Sequence, residues 1–297
     1  MFKFKDEYLE YLSSHKSSKN TIESYLSDFE KFSGYLELEK ISSYKKVDYE
    51  LIERYCDFLK ANGKSTSTVI RNVASIRSFY NFLIDINIAE ENPTKTIKIK
   101  KEEKKNPEIL THNEVILLLS QPDIKDPKGC RDKAMLELLY ATGIRVSELI
   151  SLNMSDINLS RGLIYCRTEK NSRSIPLYPA AISAISDYIY RVRNLIVNKE
   201  NEDALFINLN GNRLTRQGFW KIIKAYASMA KISKEITPHA LRHAFALHLL
   251  ENGANIEDVQ SMMGHCDISS TKVYISMLDN HSRDVYNNFH PGARRTK

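Results

Sequence analysis

Apolar side chains recur at helical spacing through the first ninety residues. Phe4, Tyr8, Tyr11 and Leu12 mark a first helix. Ser18-Lys19-Asn20-Thr21 is a start signal, and after it Ile22, Tyr25, Leu26, Phe29 and Phe32 share one face. A third helix is expected from Tyr49 to Leu59, ending near Asn62-Gly63. A fourth starts around Ser65-Thr66 and carries Val69, Val73, Ile76, Tyr80 and Leu83. Four helices with short links predict a small bundle over residues 1–92.

The pattern then breaks. Glu90-Glu91-Asn92-Pro93 stops the fourth helix, and residues 93–108 read as an interdomain linker with six lysines, at 95, 98, 100, 101, 104 and 105. Two readings stand side by side: a solvated connector, or a basic strap along a DNA backbone. A second domain, 109–297, opens at Ile109-Leu110-Thr111, where Thr111 and Glu114 have the spacing of a capping box. A long helix follows Asp132 through Leu136, Leu139 and Tyr140 and stops at Thr142-Gly143, and another begins at Val146-Ser147-Glu148. Leu163 to Arg167 and Ser174 to Leu177 read as two short strands about a polar turn, a hairpin. The remainder reads as mostly helical. The expected fold class is mainly α with a small β-sheet in the C-terminal domain (α+β).

Composition narrows the class. The 297 residues, 42% hydrophobic, suit about two packed domains. The formal charge of +6 fits a polyanionic partner, although many soluble proteins are as basic. Cys56, Cys130, Cys166 and Cys266 stand far apart with no C-x-x-C pair, which suggests neither a disulfide framework nor a zinc ribbon and fits a reducing cytoplasm. The first seven residues mix charges and do not read as a signal peptide, and no apolar run is long enough for a membrane helix.

Four separated features could carry chemistry. In Ala141-Thr142-Gly143-Ile144-Arg145-Val146-Ser147-Glu148-Leu149 a glycine ends one helix and Arg145 opens the next, where a guanidinium suits a phosphate; a salt bridge with Glu148 is the plainer alternative. Lys170 sits in the polar turn, where it can reach into a groove or simply be solvated. Thr237-Pro238-His239-Ala240-Leu241-Arg242-His243 starts a helix with threonine as N-cap and proline in the first turn. His239 and Arg242 lie at i and i+3, so imidazole, guanidinium and free backbone N–H groups gather in an anion site. His239, His243 and His248 spread around the helix without acidic or cysteine ligands, which argues against a metal and leaves His243 and His248 structural. The last feature is Met263-Gly264-His265-Cys266-Asp267, closed by Gly264 and followed by a helix carrying Tyr274, a residue that could equally belong to a core.

Taken together, the segments ATGIRVSEL, TPHALRHAFALHLLENG and MMGH, with Tyr274 nine residues after that histidine, resemble the tyrosine recombinase (phage integrase) family, in particular the bacterial Xer site-specific recombinases that resolve chromosome dimers. The resemblance covers nearly the whole chain, more loosely in the N-terminal bundle, which looks like the family's core-binding (SAM-like) domain. It implies that Arg145 and Arg242 are the two catalytic arginines, His239 the histidine of H-x-x-R, His265 that of the L-G-H motif with Met263 in place of leucine, and Tyr274 the nucleophile. Lys170 matches the hairpin lysine, in a turn that lacks the usual glycines. The family needs no metal or other cofactor, and the sequence has neither a phosphate-binding G-x-x-x-x-G-K-[ST] loop nor a cluster of carboxylates.

The implied chemistry cuts and rejoins DNA through a 3′-phosphotyrosine. Two arginines offset the charge that builds on the nonbridging oxygens. His239 is the expected base, since a tyrosine hydroxyl titrates near 10; His265 donates to a nonbridging oxygen, and Lys170 protonates the leaving 5′-oxygen. The expected partner is a double-stranded DNA recombination site, bound by a homo- or hetero-tetramer on two duplexes. A second recombinase or an accessory activator is possible, and no membrane is involved. Lys19, Thr21, Lys64, Ser67, Arg71 and Ser75 are the first domain's candidate DNA contacts, and residues 283–297 a C-terminal docking segment. The alternatives are a transposon or phage integrase of the same chemistry, a type IB topoisomerase, and a DNA-binding protein that does not cut.

Overall fold

The computed structural model describes residues 4–15, 18–100, 109–167, 172–197, 202–234 and 236–264. The chain divides into two compact units, Met1–Lys105 and Asn106–Lys297.

The first unit is built from helices α1 (Lys5–Ser14), α2 (Lys19–Leu38), α3 (Tyr49–Ala61) and α4 (Thr66–Asp85). Three start on side-chain caps, Ser18 accepting from the Thr21 N–H, Asp48 from Leu51 and Ser65 from Thr68, each satisfying one otherwise orphaned donor. The apolar stripes meet in a core of Tyr8, Phe29, Phe32, Leu51, Tyr55, Val69, Ile76, Phe79, Tyr80 and Leu83. It is rich in rings; Tyr8 and Phe79 stand edge-on with centroids 5.2 Å apart. Buried hydroxyls keep partners, Tyr80 donating to the Tyr44 carbonyl at 3.0 Å.

The start of the expected linker belongs to this bundle. Asn92 and Thr94 are buried. The Asn92 amide donates to the Arg77 carbonyl at 2.9 Å and the Asn81 side chain at 2.7 Å, while its oxygen accepts from the N–H and hydroxyl of Thr94. Ile97 and Ile99 pack against the core. A polar side chain that satisfies four groups locks this segment in place, and apolar periodicity carries no sign of it. Lys101, Lys104 and Lys105 lie outside the described residues.

The second unit wraps the nearly fully buried helix α6 (Pro127–Thr142) with α5 (His112–Leu119), α7 (Val146–Ser151), α8 (Pro179–Tyr188), α9 (Asn194–Ile196), α10 (Arg216–Met229), α11 (Pro238–Glu251) and α12 (Ile256–Met263). α5 carries the full capping box, with both Thr111 and Glu114 making their bonds. α6 begins at Pro127 on the Asp126 cap, upstream of the expected Asp132; its first turns bury Cys130, Arg131 and Asp132, which hides the apolar period. The small sheet has three antiparallel strands, β1 (Ile157–Asn158), β2 (Leu163–Arg167) and β3 (Ser172–Pro176), in that order, with Ile164 opposite Ile175 and Arg167 opposite Ser172. The expected hairpin is there; β1 is an addition, and β3 starts two residues earlier. Between α8 and α9 the helix widens into a π turn, Ile189–Arg193, whose buried Arg193 donates to the Ala204 and Glu202 carbonyls at 2.9 and 2.6 Å. Among the described residues no helix is long and apolar enough to cross a membrane.

Candidate active site

Gly143 closes α6 in the left-handed conformation, φ 58°. A Cβ here would lie 2.2 Å from the Phe245 ring, so both backbone and packing require glycine. The turn delivers Arg145 to the cap position of α7, where its N–H donates to Glu148 at 2.7 Å. Its side chain stays 41% exposed, with Nη1 3.7 Å from Glu148 Oε1.

Arg242 and His239 share the first turns of α11. Thr237 holds the cap position by its backbone but does not cap with its hydroxyl; the Ala240 N–H bonds to its carbonyl at 2.9 Å. Arg242 is buried, 5% exposed, and reaches across the core to donate to the Gly143 carbonyl and, at 2.8 Å, to the Met263 carbonyl. Arg145 donates to the next carbonyl, Gly264, at 3.4 Å. The two arginines, 97 positions apart in a chain numbered from Arg145 to Arg242, thus meet at the end of α12, immediately before His265. His239 is exposed beside them. Partial burial of the ring, then the positive charges of Arg242, Arg216 and Arg145, hold its imidazole below the ordinary value of 6.5. A neutral imidazole next to two guanidiniums can accept a proton where an anion binds.

Sequence reading overlooked Arg173. It stands on β3 two residues before buried Ile175, on the same strand face; an arginine at an inward position was the available signal. Its fork grips Glu148 at 2.9 and 3.1 Å, and Nε donates to the Met262 carbonyl at 2.6 Å. Glu148 therefore pairs mainly with Arg173 rather than with Arg145. Burial alone would raise the Glu148 carboxyl; the Arg173 bonds, the Arg145 N–H and both positive charges outweigh it and hold the group below its usual value. Gly264 ends α12 at φ 65°, and a Cβ there would sit 2.6 Å from Arg173 Nη1. A second overlooked feature is the outer face of α10, where Arg216, Trp220, Lys221 and Lys224 are exposed and Lys224 Nζ lies 3.7 Å over the Trp220 ring.

Lys170, His265 and Tyr274 lie outside the described residues, as does segment 283–297. His248 shares a hydrogen bond with the Tyr140 hydroxyl at 3.0 Å, and His243 is half-buried. In the first unit Lys19, Lys64 and Ser67 are exposed and Thr21 is half-buried. Ser75 is not a surface residue: it is buried and donates to the Tyr25 carbonyl at 3.1 Å. Arg71 pairs with the buried Asp28 carboxylate and donates to the Ser24 carbonyl at 3.4 Å. The stripe 67, 71, 75 runs along one side of α4 and turns towards α2, so Ser67 is exposed, Arg71 half-exposed and Ser75 buried.

A buried arginine and a half-exposed one thus meet at a helix end with a histidine alongside, a grouping of donors suited to an anion. Residues 108–281 match the Phage integrase family, and residues 6–87 match the Phage integrase, N-terminal SAM-like domain. The chain belongs to the phage integrase family, as a tyrosine recombinase, an enzyme that cuts and rejoins DNA. It is 43% identical over 290 residues to tyrosine recombinase XerD of Staphylococcus epidermidis, covering 97% of this chain and 98% of that one. It is 45% identical over 278 residues to tyrosine recombinase XerD of Halalkalibacterium halodurans, covering 93% of each. Its fold is similar to that of the XerH site-specific recombinase bound to a palindromic difH substrate, with a TM-score of 0.75 and 20% identity over 92% of this chain and 80% of that one.

Proposed function

We propose that this tyrosine recombinase acts at a chromosomal recombination site in the manner of its XerD-named relatives, with Tyr274 as nucleophile. The hydroxyl attacks the scissile phosphorus in line. Arg145 and Arg242 hold the nonbridging oxygens as their charge grows, His239 takes the tyrosine proton, and His265 donates to a nonbridging oxygen. Lys170 protonates the departing 5′-oxygen, which would otherwise leave as a poor alkoxide. The product, a 3′-phosphotyrosine, keeps the bond energy until a 5′-hydroxyl from another strand attacks it. Arg145, Lys170, His239, Arg242, His265 and Tyr274 work as one set, in a cytoplasmic enzyme.

The observation that supports this reading best is the meeting of Arg145 and Arg242 at the Met263 and Gly264 carbonyls, one residue from His265. The basic face of α10, whose Arg216 acts on His239, suits a DNA backbone. In this reading four protomers act on two duplexes, residues 283–297 dock on a neighbouring protomer, and a second recombinase or an accessory factor gates the exchange.

The test uses a duplex selected from a random-sequence pool by the full-length protein, then nicked a few nucleotides 3′ of the cleavage point so that the 5′-hydroxyl fragment diffuses away. A protein–DNA adduct should survive denaturing electrophoresis for the wild type and be absent for Tyr274→Phe, with site binding retained. An adduct with the phenylalanine variant would remove Tyr274 as nucleophile; no adduct with either would leave a binding protein.

A further inference from the structure

Arg145, Arg173 and Arg242 come together at the end of α12, and they are held differently. Arg145 is 41% exposed and its side-chain contacts are long, 3.7 Å to Glu148 and 3.4 Å to the Gly264 carbonyl. Arg242 spans two carbonyls from a buried position. Arg173 has an 11% exposed side chain, and its Nε, Nη1 and Nη2 all donate within 3.1 Å, to the Met262 carbonyl and to both oxygens of Glu148. A guanidinium so engaged cannot grip a phosphate without giving up a buried carboxylate, so Arg173 is not a phosphate ligand.

Its effect falls on Glu148. That carboxylate lies between two cations: Oε1 is 2.9 Å from Arg173 Nη1 and 3.7 Å from Arg145 Nη1, and Oε2 accepts from Arg173 Nη2 and from the Arg145 backbone N–H. Without Arg173, a buried negative charge would be left with Arg145 as its nearest cation. It would draw the Arg145 guanidinium in and neutralise the charge a phosphate needs. The Nε contact to Met262 also ties β3 to the end of α12, where Arg145 and Arg242 find the next two carbonyls.

We propose that Arg173 is a positioning residue: by occupying Glu148 and holding the end of α12, it keeps Arg145 oriented and uncommitted for the scissile phosphate. This rests on the reading of Arg145 as a phosphate ligand, and it adds a residue that touches neither DNA nor the nucleophile's hydroxyl. Lysine cannot replace it fully, since a single ammonium does not span a carboxylate and a carbonyl in the fixed fork of a guanidinium.

A methylphosphonate at the scissile position separates positioning from packing, because the methyl group removes the negative charge that Arg145 would offset. The full-length wild type, Arg173→Ala and Arg145→Ala are compared in single-turnover cleavage of the nicked duplex, with phosphate or methylphosphonate at the break. Adduct and hydrolysed strand are counted together, and duplex binding is measured in parallel. Arg173→Ala should bind normally and cleave phosphate about 100-fold more slowly, the scale of loss when a reacting group is misplaced by an ångström or so. On methylphosphonate its rate should return to that of the wild type, as should that of Arg145→Ala. If Arg173→Ala does not fold, Arg173→Lys takes its place, with a smaller defect on phosphate and the same recovery. Equal defects on both substrates would show that Arg173 only supports the fold, and no defect on phosphate would show that it does nothing for Arg145; either result overturns the proposal. If Arg145→Ala is itself equally impaired on both substrates, Arg145 is not the phosphate ligand, and both readings fall together.

Discussion

The two units bury different things. The first hides a ring-rich core in which the buried polar groups are mostly uncharged, Ser33, Asn72, Ser75, Asn92 and Thr94, with Asp28 the charged member. The second buries Arg131, Asp132, Glu137, Glu148, Arg193 and Arg242 within 9% exposure. Desolvating a charge costs several kcal/mol unless partners replace the lost water, so such groups stand where a network satisfies them or where chemistry needs them. In the second unit several form structural ties; Arg131 grips Asp132 at 2.7 Å, and Tyr226 donates to the same carboxylate at 3.0 Å. Glu148 and Arg242 lie at the site itself. The bundle's interior is mainly apolar, and the second unit's holds charge.

Arg242→Ala should break that contrast most strongly. On the proposed mechanism it removes charge compensation at the phosphate, for an expected fall of about 10²- to 10³-fold in single-turnover cleavage. It also strands the Gly143 and Met263 carbonyls, so chemical denaturation should register a loss of roughly 1–3 kcal/mol. If only stability changes, the buried charge is structural and the contrast fails.

Gly143→Ala should act chiefly on stability, and there by more than Arg242→Ala does. The left-handed backbone costs about 1–2 kcal/mol for any other residue, and the Phe245 overlap adds about 1–3 kcal/mol of overpacking. Thermal unfolding should shift down accordingly; an unchanged midpoint would mean that the α6–α7 turn relaxes freely.

Arg71→Ala tests the bundle. Its partner Asp28 is fully buried, and burial raises that carboxyl despite Arg71 and Lys31. Since the Arg71 side chain is 40% exposed, solvent screens the pair, and a loss of about 1–2 kcal/mol is expected with the salt dependence of DNA binding unchanged. A salt slope reduced by about one would restore Arg71 as a phosphate contact.

The contrast also sets what could be read from sequence. The bundle was legible because Phe29 and Phe32 on α2, and Val69 and Ile76 on α4, repeat at helical spacing behind serine caps. It misled where a polar stripe turned inward, as at Ser75, and where Asn92 tied the linker down through hydrogen bonds. In the second unit the motifs around Arg145, His239 and Arg242 marked where chemistry could sit. The start of α6 and the role of Arg173 were hidden, since buried charges have no apolar period and the partners of Arg173 lie 25 and 89 positions away. Only three dimensions join β3 to the end of α12.

The smallest expected effect is in pH. His239 is held below 6.5, so as a base it is already neutral at pH 7. The cleavage rate should be flat just above pH 7, fall at alkaline pH only as the acid Lys170 loses its proton, and fall on the acid side only as pH drops through that lowered value. A midpoint of the acid-side fall above 6.5 would mean that another group is the base.

The central claim is the covalent bond to Tyr274. Trapped adduct, trimmed with nuclease and trypsin, should yield its nucleotide mass on the peptide spanning residues 273–283, with fragmentation placing a 3′-linked phosphate on Tyr274. The same mass on any other tyrosine, or on a serine or histidine, would contradict the account.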